Sequence, residues 1–367
     1  LSYMRTLVEP TITKNIAIAH HLYRIENSSQ NQIESCLGKR ILLLKLPQEN
    51  GEKGVICIKF SELFKLIPRA FNMEKLLKDY RLVLEPSWSG YCDEDILYYT
   101  KYKEEIYILA AEQGDFELLL RLNSNLKPLP FGPCDWVDPS LFKKYYESSE
   151  NKTYDILMNA HWGWWKRHHV LFKTLKGLSS DIKVALIGFP WGGSSLEDVQ
   201  ALAQYFGVEK QITFYEKIPY EDVIKITSMS KIGMLLSLKE GSNRAIAECL
   251  FCNVPVIVLS EHVGGIKKNI NPVNGKLVPQ AQLKDTIKEM LNNLNSYTPM
   301  EWALKNISCT VTTEKLNNYL KYRAIACGEP WTKDIVVKTN SPELKYYNED
   351  DKNNLWKYNL ELKKYFN

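Results

Sequence analysis

No stretch of this 367-residue chain is apolar for long enough to span a bilayer. The longest apolar runs are Ile41-Leu42-Leu43-Leu44, Val184-Ala185-Leu186-Ile187 and Val254-Pro255-Val256-Ile257-Val258-Leu259, far short of the ~18 residues of a spanning helix. Nor does Leu1-Ser2-Tyr3-Met4-Arg5 place an apolar run behind a basic cluster, so no secretory signal is expected there. Cysteine is sparse: eight residues, scattered singly apart from Cys249 and Cys252. That usage points to reduced thiols and a cytoplasmic setting. Cys249-Leu250-Phe251-Cys252 has the spacing of half a zinc site, but no second pair matches it. It reads as two small buried residues on a helix. Charge of one sign is also lacking. A net charge of +4 is too mild for the concentrated basic face of a nucleic-acid binder, though compatible with peripheral contact at an anionic inner membrane surface. There is no short-period repeat and no low-complexity tract.

What is present is an ordinary globular composition, 45% apolar and 25% charged, at a length that implies two domains. From Arg40 onward, short apolar runs alternate with helical patterns. Strands are expected over 41–46, 55–60, 81–84 and 106–110, with a helix over 61–79. Pro128, Pro130, Pro133 and Pro139 then read as a linker. A cleaner alternation follows. Strands are expected at 154–159, 182–188, 211–215, 231–236, 254–259 and 276–278, and helices at 166–178, 195–206, 220–228, 245–251 and 283–294. Strand–helix alternation at this spacing means parallel sheet with right-handed crossovers. Past Thr298 the pattern is helical to about Cys327, and the Tyr-, Asn- and Lys-rich tail matches no pattern.

Ligands bind outside the carboxyl ends of strands in such sheets, so the residues after each strand are the candidates. The sharpest segment is Ser237-Leu238-Lys239-Glu240-Gly241-Ser242-Asn243-Arg244-Ala245-Ile246-Ala247-Glu248. A strand ends, a glycine loop follows, Ser242 or Asn243 caps a helix, and that helix start suits a pyrophosphate. Glu240 would stand in the exposed loop, and Glu248 could accept hydrogen bonds from a ribose diol. The same spacing also fits a solvated ion-pair ladder of Glu240, Arg244 and Glu248. Lys166-Arg167-His168-His169 puts cations at an expected helix start, where the dipole disfavours them unless an anion is near. The pairs His20-His21 and His168-His169 are weak metal candidates, because adjacent side chains diverge. Trp162, Trp164 and Trp165 could stack on a base or a sugar, or pack a cleft. Gly188-Phe189-Pro190-Trp191-Gly192-Gly193 is a glycine turn and not a dinucleotide fingerprint.

The 240–248 segment resembles the Glu-x7-Glu motif of retaining GT-B glycosyltransferases, glycosyltransferase family 4 in particular. The similarity continues through Glu248-Cys249-Leu250-Phe251-Cys252-Asn253-Val254-Pro255-Val256-Ile257, the Gly264-Gly265-Ile266 loop and Asn274-Gly275-Lys276-Leu277-Val278. Upstream it takes in Phe131-Gly132-Pro133-Cys134-Asp135 and Trp165-Lys166. It covers residues 128–295. The resemblance implies a GT-B fold, two Rossmann-like doubly wound domains facing across a cleft. An acceptor-side domain (1–130) would be followed by a donor domain (140–310) and a segment (311–367) returning to the first domain. It also assigns roles. Glu240 would contact the transferred sugar, and Gly241, Ser242 and Asn243 the donor phosphates. Glu248 would hold the ribose, Lys166 with Arg167 would hold the departing diphosphate, and the base would lie near Ile218. No metal or other cofactor is expected. The partners implied are a UDP- or GDP-linked sugar and a glycan, lipid-linked or other acceptor, with no nucleic acid. One departure is plain. Asn159-Ala160-His161-Trp162-Gly163 stands where the family has Gly-Arg-Leu, with Arg167 or Arg244 as candidate replacements for the missing Arg. A non-catalytic GT-B partner subunit and a nucleotide-sugar epimerase are the alternative uses of such a fold.

Overall fold

A computed structural model describes residues 28–87, 93–142, 152–340 and 344–367. His20-His21 and the start of the chain lie outside the described residues, as do residues 143–151 beyond the proline-rich stretch. The chain divides into two compact units, Leu1–Asp138 with Cys309–Asn367, and Pro139–Ser308.

Unit 1 is built on a five-stranded sheet in the order β1 (Ile41–Lys45), β2 (Gly54–Lys59), β3 (Tyr80–Glu85), β4 (Ile106–Leu109), β5 (Leu126–Leu129). Strands β2 to β5 run parallel, while β1 pairs antiparallel with β2. The strands are apolar throughout because both faces are covered. Ile41, Leu43, Ile56, Ile58, Leu82, Leu84, Ile106 and Ile108 share one core. Their alternates Leu42, Leu44, Val55, Cys57, Val83, Tyr107 and Leu109 share another, the period-2 split of a strand. The helices α1 (Ser28–Glu34), α2 (Ile67–Ala70), α3 (Met73–Asp79), α4 (Glu94–Leu97) and α5 (Gln113–Arg121) feed the first core. Residues of the C-terminal segment, among them Cys309, Leu316, Leu320, Ile335, Tyr346 and Leu355, fill the second.

Two expectations change here. The helix read over 61–79 is broken into a 3-10 turn at Ser61–Leu63, then α2 and α3. Pro68 opens α2, and the Asn72 side chain caps α3 by accepting from the Lys75 N–H at 3.1 Å. The proline-rich stretch read as a linker begins inside β5, which includes Pro128. Proline cannot donate to a ladder, and β5 is an edge strand where that is tolerated.

The tail, unreadable in sequence, has a defined place. Helix α12 (Cys309–Ala326), the two-residue strands β12 (Lys338–Thr339) and β13 (Lys345–Tyr346) and helix α13 (Glu349–Glu361) all belong to unit 1. The Asn359 side chain accepts from the Leu43 N–H at 2.9 Å, and the Tyr346 hydroxyl donates to the Leu43 carbonyl at 2.8 Å. These bonds satisfy backbone groups on the outer edge of β1, which would otherwise be an open template for pairing. Deeper in, Lys338 bonds Glu85 at 2.6 Å with both side chains fully buried, and the ammonium lies 3.7 Å from the Trp136 ring centre.

Unit 2 carries a six-stranded, all-parallel sheet in the order β11-β10-β9-β6-β7-β8. Its strands are β6 (Tyr154–Asn159), β7 (Val184–Gly188), β8 (Ile212–Glu216), β9 (Ser230–Leu235), β10 (Val256–Leu259) and β11 (Gly275–Val278). Counted within the unit this is 3-2-1-4-5-6 read from its far edge, the order of dinucleotide-binding sheets. The connecting helices are α6 (His168–Leu175), α7 (Leu196–Phe206), α8 (Tyr220–Ser228), α9 (Arg244–Phe251) and α10 (Leu283–Asn292), and α11 (Pro299–Asn306) follows. Local signals set their ends. Ser195 and Asp198 form a capping box at the start of α7, and Gly207 closes it at φ 70°. The helix expected from Lys166 starts later. Trp164–Lys166 is a 3-10 turn, Arg167 is left-handed at φ 63°, and α6 begins at His168. Among the described residues no helix is long and apolar enough to cross a membrane.

Candidate active site

The strand order of unit 2 reverses between β6 and β9. Loops leaving the carboxyl ends of two strands at such a point diverge and leave a crevice. The loop after β6 carries Ala160 to Arg167, and the loop after β9 carries Leu236 to Asn243. A second stitch holds the latter. Glu240 N–H donates to the Val263 carbonyl at 3.0 Å, Val263 N–H to Leu238 at 2.7 Å, and Gly265 N–H to Gly241 at 2.7 Å. Any Cβ on Gly264 would come within 2.7 Å of the Glu240 carbonyl, so the loops after β9 and β10 approach here too closely for a side chain at that position.

At the centre, Lys166 Nζ donates to Glu240 Oε1 at 2.6 Å. Ser237 Oγ donates to the same oxygen at 2.6 Å, and Asn243 Nδ2 to Oε2 at 2.7 Å. Asn243 also caps α9, its Oδ1 accepting from the Ile246 N–H at 2.9 Å. Sequence reading placed Glu240 in an exposed loop. The structure corrects this: Glu240 is 8% exposed and Lys166 9%, because Ser237, Asn243 and Lys166 fold around the carboxylate. Burial alone would raise the Glu240 pKa, but the Lys166 charge and the three hydrogen bonds reverse it, leaving it below the usual value and ionised.

A second cluster lies along α9. Glu248, 4% exposed, accepts from the Tyr220 hydroxyl at 2.8 Å and pairs with Arg244 Nε at 3.0 Å. Burial raises its pKa despite both partners. The i,i+4 pair of Arg244 and Glu248 does form, with the glutamate on the inside rather than in a solvated ladder.

The remaining candidates fall around these two clusters. Gly241 and Ser242 are half-buried between Glu240 and the start of α9. Arg167, held left-handed at φ 63°, donates to the Leu236 carbonyl at 3.1 Å and to Gln280 Oε1 at 2.6 Å. Its guanidinium therefore ties loops together instead of joining Lys166. Ile218 is half-buried just past β8, beside Lys217, whose N–H donates to the Gly188 carbonyl at 2.9 Å. The tryptophans separate. Trp162 is buried with Nε1 on Glu216 at 2.8 Å, Trp164 is 75% exposed, and Trp165 packs edge-on against His161. Cys249 and Cys252 are both buried on or just after α9. Among the described residues no group of three or more His, Cys, Asp or Glu is placed to hold a metal ion.

Ser237, Tyr220, His161 and His262 were given no role in the sequence reading, although Ser237 and His161 lie in segments it quoted. Three of them follow a strand: His161 after β6, Ser237 after β9, His262 after β10. The rule about carboxyl ends could have flagged these, but Tyr220 opens α8 and carries no such signal. His161 stands five positions before Lys166, in the run that departs from Gly-Arg-Leu. Its Nδ1 accepts from the Gly163 N–H at 3.2 Å. Burial first, then the Lys166 charge, bring its pKa down to about 4, so it is a neutral ring at physiological pH. His262, 1% exposed, bonds the Ser237 carbonyl through Nδ1 at 2.7 Å, and burial lowers its pKa too.

Residues 143–303 match the family model described as glycosyl transferases group 1. Solved structures share the fold at low identity. Sucrose-phosphate synthase from Thermosynechococcus elongatus is 15% identical with a TM-score of 0.56, over 75% of this chain and 74% of that one. Anabaena HepE in complex with UDP and glucose is 13% identical with a TM-score of 0.56, over 72% and 77%. A UDP-forming trehalose-phosphate synthase from Burkholderia xenovorans is 11% identical with a TM-score of 0.53, over 74% of each chain. No curated protein sequence matches the chain. The two-domain α/β fold is GT-B, and the chain is a glycosyltransferase, class EC 2.4, with its group 1 match in residues 143–303.

Proposed function

We propose that unit 2 binds a nucleotide-sugar donor, UDP-linked in the first instance, and that the enzyme transfers the sugar to a glycan or lipid-linked acceptor with retention of configuration. The observation that carries this is the buried Lys166–Glu240 pair at the strand-order reversal. An ionised glutamate held by Lys166, Ser237 and Asn243 keeps a fixed orientation, and carboxylate oxygens are natural acceptors for sugar hydroxyls. Lys166 supplies a positive charge where the departing diphosphate gains negative charge. The helix start after Gly241, Ser242 and Asn243 offers amides to the phosphates. Glu248 serves the ribose and the backbone near Ile218 the base. Neutral His161, its Nδ1 occupied by an N–H, has an Nε2–H to offer the phosphates in place of the family's Arg. UDP in the HepE complex favours that nucleotide. In the reaction the acceptor oxygen bonds to the anomeric carbon as the bond from that carbon to the diphosphate oxygen breaks. The acceptor proton passes to the departing phosphate.

The test is slow hydrolysis and thermal stabilisation with UDP- and GDP-sugars, with Glu240→Gln as the comparison. Stabilisation by one donor, with hydrolysis reduced at least ~100-fold in the variant, is expected. A variant that turns over at the parent rate would remove Glu240 from the reaction. A protein that responds to no donor would favour the non-catalytic subunit.

A further inference from the structure

Unit 1 has a cavity of about 470 Å3 that the donor-site reading leaves unused, lined by Lys39, Arg40, Lys59 and Lys345 together with Gly38 and Phe60. Its construction follows from the strand pairing. Because β1 runs antiparallel to β2, the start of β1 stands beside the end of β2, and Lys59 N–H donates to the Arg40 carbonyl at 2.8 Å. The turn into β1 is tight. Gly38 is left-handed at φ 75°, and the Cys36 carbonyl accepts from the N–H groups of Lys39, Arg40 and Ile41. Phe60 follows β2 at φ 79°, ψ 127°, a conformation that a residue with a Cβ adopts only at a cost. That backbone places the Phe60 ring near two cations, the Arg40 guanidinium and the Lys59 ammonium, each 5.0 Å from its centre. Lys59 is itself 6% exposed.

The lining holds four cations and no acid. Glu62 reaches Arg40 at 3.4 Å, with both side chains about half exposed. Lys39, Arg40, Lys59 and Lys345 together give the space a positive potential that favours an anion. The position is also that of a ligand site, outside the carboxyl end of a strand in a parallel sheet. The volume lies in the range of small-molecule sites and well above that of a bare phosphate. Phe60 and Leu344 supply apolar surface beside the charge, and aromatic faces suit the C–H side of a sugar ring.

We infer that this cavity binds the phosphoryl group of a phosphorylated carbohydrate. That this carbohydrate is the acceptor rests on the transfer proposed above; that the cavity binds it does not. The ester could be a soluble sugar phosphate or the headgroup of a lipid-linked one, and the chemistry recognised is the same.

The experiment is calorimetric titration of the intact protein with glucose 6-phosphate, glucose and inorganic phosphate, and sedimentation with phosphatidylglycerol and phosphatidylcholine vesicles. Each is run on the parent protein, Lys39→Glu and Lys345→Glu, two residues on the exposed rim. UDP-glucose affinity and thermal unfolding serve as controls in all three. Glucose 6-phosphate should bind at least ~10-fold tighter than glucose, and each charge reversal should cost ~10-fold or more while UDP-glucose affinity and unfolding stay unchanged. Binding should also weaken between about 0.05 and 0.5 M salt. Binding of phosphatidylglycerol vesicles alone, lost in both variants, would support the site with a lipid-linked source. Equal binding of glucose and its phosphate, or phosphate binding indifferent to both substitutions, would overturn the inference. So would failure of both glucose 6-phosphate and the anionic vesicles to bind. If glucose 6-phosphate binds as expected and UDP-glucose does not, the donor reading fails and the anion site stands. If both bind and no sugar is transferred, the acceptor assignment is the part that falls.

Discussion

Single residues carry much of the consequence here, because two charges are buried together. Lys166→Met would remove the ammonium partner of the buried, ionised Glu240. Removing one partner of a buried pair typically costs about 3–5 kcal/mol. A lower melting temperature is expected, together with weaker binding of both UDP-sugar and UDP, read by calorimetry. Unchanged nucleotide affinity would move Lys166 away from the diphosphate. His168 sets a pH dependence. It is 3% exposed, and burial, with His161 and Lys166 nearby, brings its pKa from 6.5 to about 4. A depressed histidine makes the folded state shed a proton that the unfolded chain keeps. The stability it contributes is therefore full above pH 6.5 and lost as pH falls towards 4. That difference corresponds to ~3 kcal/mol. Melting temperatures between pH 7.5 and 4.5 should fall steeply in the parent and less steeply in His168→Leu; parallel curves would show that another group sets the slope.

At the scale of elements, the carboxyl-end loops of unit 2 are joined where no side chain fits. Gly264→Ala puts a methyl group within 2.7 Å of the Glu240 carbonyl and 2.5 Å of His262 Nε2. The backbone carrying Glu240 must shift, and donor affinity should fall ~10-fold or more, since a site loosened by even 1 Å loses function steeply. A variant with parent-like affinity would show that this loop is softer than its bonds suggest. The same elements show what could be read beforehand. Strand β6 and helix α8 coincide with the sequence reading, because 154–159 is a buried run and 220–228 an amphipathic one with acids in its first turn. Helix α6 starts two residues late because Arg167 turns left-handed, which nothing in Lys166-Arg167-His168-His169 announces. Strand β5 hides behind Pro128, since edge position is a tertiary fact. The burial of Glu240 was also out of reach. It depends on Lys166, 74 positions away, and on the dual use of the Asn243 side chain.

At the scale of the whole molecule, unit 1 is assembled from two separated parts of the chain. Lys338 and Glu85, 253 positions apart, join them in a fully buried ion pair with Asn340 donating to Glu85 at 2.6 Å. Lys338→Met alone should destabilise the protein by roughly 3–5 kcal/mol, whereas Lys338→Met with Glu85→Met should recover most of that loss. Denaturant unfolding of the two variants reads this directly. A double variant as unstable as the single one would mean that the pair stabilises through its neighbours and not through its own charge balance.

The C-terminal cover on the first sheet has a consequence for the order in which the protein can be made. Strand β5 ends at Leu129, but the residues that close the second face of its sheet begin at Cys309 and run towards Asn367. At ~5–20 residues per second, ribosomes need roughly 10–40 s to move from Leu129 to Cys309, where that cover starts. For that interval the nascent first unit carries Leu42, Leu44, Val55, Val83 and Leu109 on an uncovered face. Unit 2 is already complete in sequence by Ser308. The later-encoded half can therefore finish folding first, while the earlier half waits, with that apolar face open, for the segment that begins at Cys309.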